Sequence, residues 1–150
     1  MYADERVARL ISESFISARV HVKDQAEDFA RLGERFGAQW TPTIVMLDEN
    51  GVERHRIEGF LPVEDFLAHL ELGLARIAFF GGAFDEAQRR FDQLAQRYPE
   101  SELAPEGVYW SGVSRYKATN DAGALAQTAK AFEKRYQRSP WAKKASVWAA

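Results

Sequence analysis

The stretch Trp40-Thr41-Pro42-Thr43-Ile44-Val45-Met46-Leu47-Asp48-Glu49-Asn50-Gly51-Val52 decides how this chain is read. Its centre, Thr43 to Leu47, is almost unbroken apolar, which predicts a short strand covered on both faces. Asn50-Gly51 favours a type I′ turn, because both residues tolerate positive φ, so a tight hairpin is expected. The return strand, Val52 to Glu58, is charged at Glu53, Arg54, Arg56 and Glu58. A strand that polar belongs at a sheet edge, where charge also discourages edge-to-edge association. Gly59 ends it.

Upstream, Gly37 suits the left-handed position that closes a helix. Phe29, Leu32 and Phe36 form one apolar face of that helix, and Asp24 and Glu27 have the spacing of a capping box at its start. Ser17 to Val22 alternates small or polar residues with Ala18, Val20 and Val22 and reads as a strand. Asp4 is a candidate N-cap for a first helix carrying Val7, Leu10, Ile11 and Phe15.

Downstream, Pro62 is placed for the first turn of a helix, with Glu64 and Asp65 near its positive end. Phe66, Leu67, Leu70, Leu74 and Ile77 carry the apolar stripe to about Phe80, where Gly81-Gly82 stops it. The remainder reads as helix: Phe84 to Tyr98, Leu103 to Ala118, Ala122 to Tyr136, and Pro140 to the end. Pro99, Pro105, Asn120-Asp121 and Pro140 mark the breaks. A displacement of 38 positions aligns Arg97 with Arg135, Tyr98 with Tyr136, Ser101 with Ser139, Ala104 with Ala142 and Trp110 with Trp148. A period in the thirties is typical of helix-pair repeats, whose units bury their apolar faces by stacking on a neighbour.

Composition excludes several functions. Twenty basic against 22 acidic residues give a net charge of −2, with no run of five like charges. Neither nucleic acid nor an anionic membrane is expected as a partner. The apolar runs are too short to cross a bilayer, and with no basic segment followed by an apolar core near Met1 no signal peptide is expected. The chain has no cysteine, so disulfides, zinc–thiolate sites and thiol nucleophiles are ruled out for it. That absence fits a reducing compartment, and a cytoplasmic location is expected.

The order strand, helix, Trp-Thr-Pro-Thr, strand, Asn-Gly hairpin, edge strand, Gly, helix resembles the C-terminal two thirds of thioredoxin-like proteins over Arg19 to Leu70. The resemblance implies that Pro42 is cis and that Trp40, Thr41 and Pro42 form a peptide-binding loop, with the Thr41 backbone taking extended peptides. Pro42 by itself also suits a plain strand-start turn. The family's Cys-x-x-Cys would open the helix whose tail corresponds to Asp4 to Phe15, and the chain begins after that point. The strand that lies centrally in that family, between the counterparts of Ser17–Val22 and Thr43–Leu47, is missing with it. Those two strands are expected to pair directly, or the gap to be filled by another chain. The helical half resembles tetratricopeptide-type repeats: Ala87, Phe91 and Pro99 match that family's small, aromatic and helix-ending positions, and Phe132 and Pro140 repeat part of the pattern.

The fold expected is α/β: a truncated thioredoxin-like sheet of about three strands continuing into an all-α helical-hairpin repeat. Residues 1–80 and 81–150 form the two parts, sharing the helix 62–80. No catalytic constellation is found. His21 is read as a strand residue, His55 as a solvated edge residue and His69 as a helix residue; they are too scattered for a metal site, and no cofactor is expected. Tyr109, Trp110, Trp141 and Trp148 are read as repeat-packing core. The function expected is non-catalytic protein binding or scaffolding, toward a protein partner or peptide, by a homodimer. The alternative is the C-terminal part of a thiol–disulfide oxidoreductase whose Cys-x-x-Cys segment is absent from this chain.

Overall fold

A computed structural model of the chain describes residues 1–149. It divides into two compact units, Met1–Leu67 and the part from Ala68 onward. Its elements are the helices α1 (Glu5–Ser14) and α2 (Ala26–Phe36), the strands β1 (Thr43–Leu47) and β2 (Glu53–Glu58), then α3 (Val63–Phe80), α4 (Phe84–Arg97), α5 (Ala104–Thr119), α6 (Gly123–Lys134) and α7 (Pro140–Ala145), followed by a 3₁₀ turn at Ser146–Trp148. The fold is α/β and mostly helical, a truncated thioredoxin-like sheet followed by helices. The division between the units falls within α3.

In the first unit, Asp4 caps α1 by accepting a hydrogen bond from the Arg6 amide at 2.9 Å. Val7 is fully buried and Tyr2 meets Phe66 edge to face, with ring centroids 5.7 Å apart. The Asp24–Glu27 capping box is not formed. Gln25 is the N-cap of α2 and makes no cap bond with its side chain. That side chain instead accepts from the His21 amide, and the Asp24 amide is taken by His21 Nδ1. Gly37 does take the left-handed conformation, and amide bonds from Gly37 to Glu34 and from Ala38 to Gly33 close the helix.

Among the described residues the sheet has two strands, not three. The predicted strand Ser17–Val22 is, among the described residues, an unpaired run without secondary structure that ends in a turn, with Ile16 beside it fully exposed. Alternation makes a segment competent for a sheet, but a strand exists only where an edge is there to pair with it. Direct pairing of the two flanking strands is therefore not found. β1 runs antiparallel to β2, with Ile44 opposite Ile57 and Met46 opposite His55. These four share one face, of which Met46, His55 and Ile57 are buried. Covering of β1 on both faces is not found either: of its five residues only Met46 is buried and Leu47 is exposed.

The hairpin loop also departs from the type I′ turn. Gly51 has positive φ and Asn50 does not. The Gly51 amide donates to the Asp48 carbonyl, and the Asp48 carboxylate accepts from the Asn50 and Val52 amides at 2.9 and 3.0 Å. The register slips by one residue between Met46 and Leu47. The loop is the three-residue type with a left-handed glycine, favoured because the Asp48 carboxylate satisfies its amides, and the slip leaves Arg54 as an extra residue in β2.

The second unit is helical. On α4, Ala87, Phe91, Leu94 and Ala95 are buried; with Ala68, Leu72, Ala75 and Ala78 of α3, all but Ala95 make one apolar core. α5 packs on both α4 and α6. Its small residues allow this: a Cβ on Gly107 would lie 2.9 Å from the Phe91 carbonyl, and one on Gly112 would lie 1.8 Å from Thr128 Oγ1. Asn120, left-handed at φ 60°, ends α5. A second core joins Ala95, Val108, Phe132 and Ala145, with Tyr109, Tyr136, Trp141 and Trp148 partly buried against it. The last predicted helix is shorter than expected. Ser139 caps α7 through the Ala142 amide, and the helix passes into the 3₁₀ turn after Ala145.

Candidate functional site

The loop between α2 and β1 places the predicted site residues together. The Thr41–Pro42 peptide is cis. The Pro42 carbonyl accepts from the Gly59 amide at 2.8 Å, extending the β1–β2 ladder by one pair. Gly59 sits at φ +85°, a backbone that a side chain would strain. Thr43 Oγ1 donates to the Trp40 carbonyl at 2.6 Å and holds the turn from within. The other anchor is Arg56, whose guanidinium donates to the carbonyls of Phe36 and Gly37 at the end of α2 and pairs with Glu53 and Glu58. These bonds hold the Glu53 carboxyl below its usual range, mainly through the Arg56 hydrogen bond. A fixed cation at a helix C-terminus also complements the helix dipole.

On this frame Trp40 stands 68 % exposed. Thr41 is exposed too, and among the described residues nothing is hydrogen-bonded to its main chain. An exposed indole beside a free amide and carbonyl offers stacking area and main-chain pairing together.

The histidines do not converge here. His21 lies in the turn before α2, 2.9 Å from Asp24 Oδ2. His69 is on α3, as expected. His55 is buried at 8 % exposure, not solvated, because β2 turns its alternate residues, His55 and Ile57, to the covered face. Among the described residues no three metal-ligating side chains cluster, and no helix is long and apolar enough to cross a membrane.

Two buried acids of the second unit were not anticipated. Glu71 is 5 % exposed and lies 3.6 Å from Arg97 and 4.0 Å from Arg90; Glu106 is 6 % exposed and pairs with Arg76. Each is compensated by cations, so both read as helix-to-helix ties. Glu71 did carry a signal, as a charge set between Leu70 and Leu72 in an apolar stripe. The aromatic residues of this unit touch in series: Phe79 meets Trp110 at 5.1 Å, Trp110 meets Tyr109 at 5.4 Å, and Tyr109 stacks on Trp148 at 4.8 Å. Burial raises the Tyr109 hydroxyl above its usual range.

Among the described residues the gap expected beside β1 is left open. Ladder parity is set by the bond from Gly59 to Pro42, so Ile44 and Met46 direct their main-chain groups to β2. Those of Thr43, Val45 and Leu47 point the other way, where no strand of the described residues lies.

Residues 3–74 match a family model described as a thioredoxin-like domain. The match covers α1, α2, the hairpin, the Trp40–Pro42 loop and the first two thirds of α3. No curated protein and no solved structure matches the chain.

Proposed function

We propose that this chain is a non-catalytic protein-binding module, in which a thioredoxin-like unit takes extended peptide at Trp40, Thr41 and Pro42. The observation that carries the reading is the Trp40–Thr41 pair: a large exposed ring beside main-chain groups left unpaired on a braced turn. The family match over residues 3–74 supports the thioredoxin-like part. The absence of cysteine removes thiol exchange from what this chain can do with a bound peptide. We read the helical unit as a tetratricopeptide-like scaffold. Support comes from the buried Ala87, Phe91 and Phe132 and from the serial packing of α4, α5 and α6. A cytoplasmic setting fits this reading.

The test is fluorescence anisotropy with a labelled, reduced and alkylated insulin B chain as an extended peptide free of thiols. Saturable binding that weakens about tenfold or more in Trp40→Ala is expected, since an exposed aromatic anchor carries a disproportionate share of such contacts. Absence of binding, or binding indifferent to Trp40→Ala, overturns the assignment.

A second reading takes the chain as the C-terminal part of a thiol–disulfide oxidoreductase, and the same family match favours it. Its test is the coding sequence immediately upstream of Met1, where it requires an in-frame strand followed by Cys-x-x-Cys.

A further inference from the structure

The first unit contains two halves of an unmade strand pair. One half is the open edge of β1, where the amides and carbonyls of Thr43, Val45 and Leu47 have no partner strand among the described residues. Sheet edges of this kind are covered in folded proteins by a bulge, a charge, a proline or another strand. β1 carries no charge over its five residues, and its slip lies at the far end, between Met46 and Leu47. The edge is therefore flat and uncharged through Thr43, Ile44, Val45 and Met46.

The other half is the segment that follows α1. The chain leaves the helix at Phe15 in extended conformation, at φ −133° and ψ 150°. Among the described residues Ile16 to Val20 make no main-chain hydrogen bond, and the next anchored point is His21, tied to Gln25. The segment has two faces: Ile16, Ala18 and Val20 on one side, Ser17 and Arg19 on the other. Ile16 is fully exposed at 107 %. β1 has the same division, with Ile44 and Met46 on the covered face and Val45 on the open one. The two runs are five residues each.

We infer that the open edge of β1 receives the Ile16–Val20 segment of a second copy of this chain, reciprocally, in a two-fold dimer. Within one chain the segment stays unpaired although β1 belongs to the same compact unit. Two copies supply two edges and two segments, so a closed two-fold arrangement satisfies all four without leaving a further edge to propagate. Placing Ile16, Ala18 and Val20 against the covered face buries apolar surface that the single chain exposes. A lone two-stranded sheet is marginal in water, and each added strand stabilises it. The inference does not rest on peptide capture at Trp40–Pro42, because it concerns the groups at Thr43, Val45 and Leu47.

Size-exclusion chromatography with light scattering, on the full chain from low micromolar to submillimolar concentration, tests it. A mass of twice 17.0 kDa is expected at the upper end. Neighbouring residues of a strand face opposite sides, so of the variants Ala18→Pro and Arg19→Pro one removes a donor from the new ladder. That variant is expected to weaken the dimer about tenfold or more. Both changes fall in an exposed segment outside every helix and strand, so the fold is retained. Val45→Pro removes a donor from the β1 side without touching the β1–β2 ladder, and is expected to act alike. A mass that stays at 17.0 kDa throughout overturns the inference. So does a dimer that both segment prolines leave intact, or a monomer whose Ile16–Val20 amides are protected from exchange by pairing within the chain.

Discussion

Asp48 shows how much a single side chain decides. Its carboxylate accepts from the Val52 and Asn50 amides and from Arg54 Nε at 2.8 Å, and these contacts, the Val52 bond foremost, hold it below the usual carboxylate range. A carboxyl depressed in the native state stabilises it fully above the unfolded value of about 3.9, and that contribution is lost as pH falls through the lower native value. Asp48→Ala is therefore expected to lower the thermal midpoint near neutral pH, by an amount that shrinks progressively as pH falls below about 3.9 toward pH 2. Melting curves by circular dichroism across that range check this, and an equal loss at both ends contradicts it. Gly112 decides the α5–α6 approach in the same way. An added Cβ would meet Thr128 Oγ1 at 1.8 Å and Thr128 Cβ at 2.8 Å. Gly112→Ala is expected to cost about 1–3 kcal/mol in urea unfolding, part of it recovered by adding Thr128→Ala.

Among the elements, burial separates helices that look alike in sequence. α2 and α4 both carry a regular apolar face, yet α2 has no buried residue while α4 buries Ala87, Phe91, Leu94 and Ala95. Most helical stability comes from packing an apolar face and not from propensity. Native-state hydrogen exchange should therefore show α2 amides opening at much lower free energy than those of α4. Comparable protection in the two would mean that α2 has a cover other than the described residues. Several helix boundaries were legible because they rest on local chemistry: the Asp4 cap, the breaks at Asn120 and Pro140, and Gly37 in its left-handed position. The Ser17–Val22 strand was misread because its existence depends on a distant partner that no local pattern reports.

At the scale of the molecule, α3 contributes to both compact units. Phe66 meets Tyr2 in the first, while Ala68, Leu72, Ala75 and Ala78 enter the core of the second. No Gly-, Ser- or Pro-rich linker interrupts it between Val63 and Phe80. We therefore expect one cooperative unfolding transition, since melting α3 removes core residues from both units at once. Differential scanning calorimetry with two resolved peaks would refute this and show units that fold separately.

The sequence by itself determined the helical series, the hairpin, the Trp40–Thr41–Pro42 loop and the exclusion of thiol chemistry, because caps, turn residues, apolar period and composition act within a few residues of chain. It also marked Thr43–Leu47 as a strand. Only the tertiary structure decided that, among the described residues, β1 has an open edge and Ile16–Val20 has no partner strand, that His55 is buried, and that Glu71 and Glu106 are paired inside the helical unit. Each of these depends on which residues meet across long separations, and hydrogen-bond pairing and burial between distant segments leave no local signature in the order of the residues.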